Sequence, residues 1–287
     1  MAAVTQDSYK TGFLPTWCPG CGDYGIWTAL KDALAKLGIG PDDAILVYGI
    51  GCHGNMYDWM RTYAFEGLHG RALPVAQGAK LANHKLPVIC VCGDGDCLGE
   101  GGNHFIHAAK RNPNITVLIH DNQVYGLTTG QASPTATQGF KTKSTPEGVV
   151  DEPLNPLTLA LTSGATFVAR GFAGDIPGLS QIIADAVSHK GFSVVDILQP
   201  CVTFDKVHTY AWYRTRLYQL ARDGYTPDNK LKAIEKAMEW EDKIPTGILY
   251  KEDKPTSEDR EPALARSPLL ELPLGVPDLP ALLSEFK

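Results

Sequence analysis

The side chains best suited to holding a hard divalent cation are Asp94, bracketed by Gly93 and Gly95, and Asn122. Asp94 offers charge and Asn122 a neutral oxygen; Val124, in the turn beyond, offers a main-chain carbonyl. Mg²⁺ takes near-octahedral oxygen ligands and usually shares them with phosphate groups. Glycines on both sides of the acid let the backbone approach a ligand closely. The chemistry implied is capture of a magnesium-carried diphosphate. Cys18-x-x-Cys21, Cys52 and Cys201 form a second set. Four thiolates can close a [4Fe–4S] cluster or hold structural zinc, and spacing alone leaves both open. Cys90 and Cys92, inside an apolar run, read as small core residues. Cys97 reads as packing beside the Gly-Asp turn.

These groups need elements to position them. Residues 86–92 are short, apolar and β-branched, the pattern of a buried strand. A tight turn at Gly93–Gly95 should follow it, then a helix with Phe105, Ile106 and Ala109 on its inner face, then a strand over 115–119 running into Asp121-Asn122. Both strand ends fall on the carboxyl edge of a parallel sheet, where open α/β sheets bind ligands. Residues 96–121 separate Gly95 from Asn122. GDG, this spacing and a terminal Asn in strand–helix–strand context resemble the thiamine-diphosphate motif, and together favour it over a plain βαβ unit with a Gly-Asp turn.

Cys52 follows a strand candidate at 44–48, and Cys201 follows one at 192–198. Cys18 and Cys21 lie in the Gly/Pro-rich loop 13–25, with Asp23 as the cap of the next helix. That helix carries Ile26, Leu30, Leu34 and Leu37 on one stripe and stops near Gly38. Further helices are predicted over 73–84, 156–162, 176–189, 210–221 and 229–241, and a strand over 166–170. The polar loop 123–153, which starts at the motif, reads as a loop of the active site or of a contact between subunits. The tail from Ile244 reads as wrapping a partner or the domain surface. The fold class is α/β, a doubly wound, mainly parallel sheet of the thiamine-diphosphate-binding type. A cofactor-binding domain over 1–205 is followed by C-terminal helices and a partner-wrapping tail over 206–287.

Composition narrows the function classes. With 287 residues and 44% apolar content the chain has room for one large α/β domain or two small ones. A net charge of −6 argues against a general affinity for nucleic acid. No apolar run is long enough to span a bilayer, so no membrane is expected. The start lacks a signal-peptide pattern, and seven cysteines there suit ligation or catalysis more than disulfides, so a cytoplasmic location is expected.

Together WCPGCGDYG, GIGCHGN, GLHGRALPVAQGAKLAN, GDGDCLGEGGNHFIHAAKRN, DNQVYGLTTGQASPT and QPCVTF resemble the β subunit of 2-oxoacid:ferredoxin oxidoreductases, over residues 13–213. QPCVTF with the downstream TYAWYR resembles most the 2-oxoglutarate branch. The resemblance implies that Cys18, Cys21, Cys52 and Cys201 ligate [4Fe–4S], and that Asp94, Asn122 and the Val124 carbonyl hold Mg²⁺. It implies thiamine diphosphate contacts from Ile50, Gly51, Cys52, His53, His69, Gly95, Asp96, Gly126 and Leu127, with His69 the polar candidate near the reacting carbon. The activity implied is CoA-dependent oxidative decarboxylation of a 2-oxoacid, reversible in principle, with electrons leaving through the cluster to ferredoxin. Within the family an α subunit supplies the glutamate that activates the pyrimidine and much of the substrate and CoA site. This chain should therefore be inactive alone; Glu100 lies beside the diphosphate turn, not the pyrimidine.

The sequence departs from the family in two places. His53-Gly54-Asn55 stands where many relatives carry Ser-Ser or Ser-Gly, and Thr129 stands where some carry Lys. Asn55, Leu127 and Thr129 are thus substrate-side candidates, and 2-oxoglutarate competes with pyruvate or a broader range. His104 and His107, three apart on a helix, read as polar groups of a helix face more than as ligands. Lys206, Arg214, Arg216 and Arg222 are a solvated face or a docking patch for an acidic ferredoxin. A non-redox thiamine enzyme predicts thiamine without iron. A zinc-stabilised partner-binding scaffold predicts zinc and no thiamine.

Overall fold

The computed structural model of the chain describes residues 3–264, 267–272, 275 and 277–286. Helix α1 (Asp23–Lys36) leads into strand β1 (Ile45–Tyr48), edge strand β2 (Tyr63–Glu66), helix α2 (Ala72–Ala82) and strand β3 (Val88–Gly93). Helix α3 (Gly102–Arg111) carries the chain to β4 (Ile115–Asp121), followed by the small hairpin β5 (Val124–Tyr125) and β6 (Gln131–Ala132). Next come α4 (Pro156–Ser163), β7 (Phe167–Phe172), α5 (Ile176–Ser188) and β8 (Phe192–Leu198). The chain ends with α6 (Tyr210–Arg214), β9 (Leu217–Gln219), α7 (Lys230–Ala237), β10 (Ile244–Lys251), α8 (Ser257–Arg260) and α9 (Leu279–Ser284).

Eight strands form one sheet in the order β2-β1-β3-β4-β8-β7-β10-β9. All neighbours are parallel except β10 against β7. Alternate strand residues feed two cores, one on each face. Val47, Cys90, Cys92, Val117 and Val194 pack with Phe105, Ala108 and Leu157 on one side. Leu46, Tyr48, Ile89, Val91, Leu118 and Val195 pack with Ile26, Leu30, Leu34 and Ile183 on the other. Burying each such side chain contributes roughly 1.5–3 kcal/mol, which fixes the sheet between its helix layers. Pairing of Gly93 with His120 and of Asp121 with Leu198 brings the ends of β3, β4 and β8 level. Residues 49, 94, 122 and 199 therefore leave the sheet along one edge.

Several local expectations are corrected. Asp23 does not cap α1; Gly22 is the N-cap, and the Asp23 carboxylate is turned inward. The Gly-Asp turn is a π-helical turn, Gly95–Glu100, rather than a tight loop. On α3 the inner face is Phe105, Ala108 and Ala109, while Ile106 is exposed. The helix read over 210–221 stops at Arg214, because the chain then extends to pair β9 with β10. The stretch from Ile244 begins not as a wrapping tail but as strand β10, inserted between β7 and β9. β2 has no counterpart among the strands expected from sequence. Of the closing segment, residues 273, 274 and 276 lie outside the described residues. No helix among the described residues is long and apolar enough to cross a membrane.

Candidate active site

Two adjoining cavities open on the edge where β1, β3, β4 and β8 end. The first is lined by Ile50, Gly51, Cys52, His53, His69, Asp94, Gly95, Asp96, Asn122, Val124, Gly126 and Leu127, together with Gly93, Tyr125 and Thr128. The second is lined by Cys18, Cys21, Cys52 and Cys201, with Asn55, Trp17, Gln199 and the 202–204 loop. Cys52, Asn122, Gly126 and Leu127 border both, so the cavities share a wall. Of the residues predicted from sequence, Thr129 borders neither; it sits exposed on a turn at φ +78°.

Asp94 emerges at the end of β3 and is buried. Its Oδ2 accepts from the Gln123 amide (3.1 Å) and from the Ser133 and Thr135 hydroxyls (2.5 Å each). Oδ1 takes no part in these three bonds and is the oxygen a cation would use. Gln123 adopts φ +62° to present its amide, a strain of about 1–2 kcal/mol for an L-residue. Its side chain offsets this by accepting from Thr137. Asn122 Oδ1 accepts from the Val124 amide at 3.0 Å, an Asx turn that folds Val124 back beside it. One charged oxygen, one amide oxygen and one carbonyl suit Mg²⁺ that keeps further ligands from a diphosphate.

Around Asp94 lie two more buried acids, Asp121 and Asp196, with Arg170 as their cation. Burial pushes all three carboxyls up, Asp121 well above the ordinary range, helped by the charges of Asp196 and Asp94. Thr135 lies within hydrogen-bond reach of both Asp94 and Asp121 (2.9 Å to the latter). Its single hydrogen serves one carboxylate at a time, so the hydroxyl ties Asp94 and Asp121 together.

The other half of the first cavity is built on Asp96. Its Oδ1 accepts from the Ile50 amide (3.1 Å), the Gly70 amide (2.7 Å) and His69 Nδ1 (2.6 Å). Its Oδ2 is buried without a partner among the described residues. A Cβ at Gly49 would stand 1.8 Å from that oxygen, and one at Gly95 would stand 2.4 Å from the Tyr125 ring. The orphaned acceptor fits a ligand that brings its own donor, and Gly49 and Gly95 let Asp96 and Tyr125 pack against the backbone beside it. His53 lies beneath, with Nε2 accepting from the Gly93 amide at 2.9 Å. Burial lowers its pKa to about 4, so it is the neutral acceptor that ties the end of β3 to the turn after β1.

In the second cavity Cys18 is exposed, Cys21 buried, and Cys52 and Cys201 half-buried. Trp17 Nε1 donates to the Cys52 carbonyl at 2.6 Å. Burial, then the charge of Asp23, pushes the Cys21 thiol far up; the same causes, with the neighbouring Cys201 and Cys18, push Cys52 up to about 12. Thiolates here need an electropositive centre to form. Among the described residues no three His, Cys, Asp or Glu side chains converge on a single metal ion. Four cysteines lining one cavity are a donor set that a thiolate-bound metal centre, zinc or iron–sulfur, would use.

Sequence reasoning missed several supports. Cys21 donates to Asp23 Oδ2 (3.3 Å), whose Oδ1 pairs with His120 Nδ1 (2.7 Å), all deeply buried. The signal for His120 was available: a lone imidazole at the end of an otherwise apolar strand. Ser133 and Thr135 carried no such signal beyond their place in the long polar loop.

Residues 49–197 match the family model described as thiamine pyrophosphate enzyme, C-terminal TPP binding domain. Residues 201–266 match the one for the C-terminal part of the pyruvate ferredoxin oxidoreductase beta subunit. A 2-oxoacid:ferredoxin oxidoreductase subunit beta of Saccharolobus solfataricus is 48% identical over 249 residues, 83% of this chain and 82% of that one. The chain belongs to the 2-oxoacid:ferredoxin oxidoreductase β-subunit family. It is also similar to the 2-oxoglutarate oxidoreductase subunit KorB of Mycobacterium tuberculosis, 47% identical over 189 residues, 66% of this chain and 51% of that one. Among solved structures, the 2-oxoglutarate:ferredoxin oxidoreductase of Magnetococcus marinus, with 2-oxoglutarate, coenzyme A and succinyl-CoA bound, superposes with a TM-score of 0.91 at 36% identity, covering 100% of this chain and 97% of that chain. The doubly wound, mainly parallel fold and the thiamine-binding motif are as the sequence predicted.

Proposed function

We propose that this chain is the β subunit of a 2-oxoglutarate:ferredoxin oxidoreductase. The overall reaction converts 2-oxoglutarate and coenzyme A to succinyl-CoA and CO₂, and two electrons pass singly to ferredoxin. Thiamine diphosphate supplies the carbanion chemistry when bound. Asp94, Asn122 and the Val124 carbonyl hold its Mg²⁺, and Ser133 and Thr135 keep the Asp94 carboxylate turned toward the metal. His69, oriented by Asp96, reaches the substrate side of the cavity. Cys18, Cys21, Cys52 and Cys201 hold a [4Fe–4S] cluster.

The observation that carries this reading is the shared wall: Cys52 borders both the diphosphate cavity and the four-cysteine cavity. A one-electron acceptor held there lies beside the site where electrons are released. Among the described residues no glutamate lines the first cavity, and the α subunit implied by the β-subunit naming of the relatives supplies it, together with much of the 2-oxoacid and CoA site. The cofactor-binding residues all lie within 1–205, while β9 and β10 of the following stretch complete the same sheet and its exposed surface is left for a partner. Seven free cysteines and four thiolate ligands suit the reducing cytoplasm. The choice of 2-oxoglutarate follows the bound ligands of the Magnetococcus enzyme.

The test is made on the purified αβ complex. Iron, sulfide and thiamine are assayed per chain, and a 2-oxoacid panel is run with CoA and ferredoxin. Expected are broad absorption near 400 nm, one cluster per β chain, and 2-oxoglutarate the best substrate. Cys18→Ala, Cys21→Ala, Cys52→Ala and Cys201→Ala should each lose the cluster, and Cys97→Ala should keep it. A colourless, zinc-bearing complex would remove the cluster, and equal rates on pyruvate would remove the substrate assignment.

A further inference from the structure

Resting on the electron-transfer reading above, we infer that a small acidic electron-carrier protein docks on the face formed by residues 201–216, with Lys206 and Arg214 as its charged contacts. Cys201 starts this segment, and the loop after it lies against the Cys18–Cys21 loop: a Cβ built on Gly20 would stand 3.7 Å from Val202. Cys18 is exposed, so the four-cysteine cavity opens toward solvent on this side. Any carrier collecting electrons from that cavity needs a footing near this opening.

The footing is basic and ordered. Lys206 is exposed, and its Nζ donates to the Val202 carbonyl. Arg214 is exposed and lies over the Tyr210 ring at 5.7 Å. Tyr210 is half-buried and packs edge-on against Phe172, 5.9 Å between ring centres, which anchors the ring beneath Arg214. Arg216 is stacked on Trp212 at 4.2 Å and adds a third cation. None of the three pairs with a carboxylate among the described residues. The acid within the segment, Asp205, is buried and bound to His208 at 2.7 Å. His208 packs edge-on against Trp212, 4.7 Å between ring centres, which fixes the loop beneath the cations. The chain as a whole carries −6, so this face runs against its balance. Uncompensated, pre-ordered cations beside a redox site recruit an acidic partner by steering its approach.

The experiment uses the αβ complex loaded with cluster and thiamine diphosphate, and an acidic ferredoxin as acceptor. Lys206→Glu with Arg214→Glu should raise the KM for ferredoxin about tenfold at low ionic strength. The gap from wild type should close as salt rises toward about 1 M, where the Debye length is about 3 Å. Reduction of methyl viologen, which needs no docking face, should be unchanged. An unchanged ferredoxin KM overturns the inference. The milder Lys206→Gln, Arg214→Gln pair covers the case in which charge reversal unfolds the chain; loss of the α subunit from that folded pair would assign the face to the α–β interface and overturn the inference too. Failure of the wild-type complex to reduce methyl viologen is a different result, and strikes the electron-transfer reading itself.

Discussion

The His69 imidazole stands 2.6 Å from Asp96, Nδ1 to Oδ1, and the same oxygen accepts from the Ile50 and Gly70 amides. One buried carboxylate thus fixes the turn after β1, the turn before α2 and the ring that faces the cavity. Asp96→Ala should leave the buried Gly70 donor unpaired, at about 1–3 kcal/mol. It should also free His69 to rotate. Urea denaturation of the apo chain reads the first effect, and calorimetric titration with thiamine diphosphate and Mg²⁺ the second. Asp96→Asn, which keeps an acceptor oxygen, should retain more stability than Asp96→Ala. If both variants bind the cofactor as wild type does, Asp96 has no part in shaping the site.

Thr135 bonds Asp94, the acid proposed to hold Mg²⁺, on the oxygen turned away from the proposed ion. Thr135→Val keeps the shape but removes the hydroxyl that bridges Asp94 and Asp121. Loss of such an outer partner typically weakens metal binding about 10–100-fold. The Mg²⁺ dependence of thiamine diphosphate binding should shift upward by that factor, and Thr135→Ser should restore it. Equal Mg²⁺ requirements in Val and Ser variants would dismiss the bridge.

What the sequence made legible followed from local chemistry. Asp94, Asn122, Cys52 and Cys201 follow apolar runs, Cys18 and Cys21 lie in a Gly/Pro-rich loop, and the continuous apolar runs 86–92 and 115–119 mark buried strands, so most of the edge could be drawn before the fold was known. Thr135 could not be found that way. It meets Asp94 across 41 residues of chain, and a hydroxyl in a polar loop carries no mark of its target. β2 hid because every residue of Tyr63–Glu66 is exposed, which leaves no inward–outward pattern. β10 hid because Pro245 and Gly247 read as turn residues. Tertiary pairing with β7 and β9 overrides them.

His189 offers a pH test away from the cofactor cavities. It is buried, with Nε2 2.9 Å from the Thr166 hydroxyl. Burial, then the charge of Lys251, holds its pKa below the ordinary value. Below about pH 6.5 the unfolded chain binds a proton that the native imidazole refuses. Stability from this group is therefore complete above that pH and is lost as pH falls through the window. His189→Gln binds no proton in either state. Its deficit relative to wild type, by urea denaturation, should shrink from pH 7 to pH 5. A deficit that stays constant or grows on acidification contradicts the sign.

Arg170 and Asp196 test how the buried acids around Asp94 are tolerated. Both are buried, with Nε 3.2 Å from Oδ2, and Arg170 Nη2 also donates to the Ala237 carbonyl. Arg170→Met fills similar space but leaves Asp196 uncompensated beside Asp121. Breaking a buried pair in this way costs about 3–5 kcal/mol. Replacing both, Arg170→Met with Asp196→Asn, removes the stranded charge and should recover more than half of that. The four-cornered denaturation cycle measures the coupling directly. A double variant no more stable than Arg170→Met alone would mean that the guanidinium matters for packing over Trp240, 5.6 Å away, and not for the charge it neutralises.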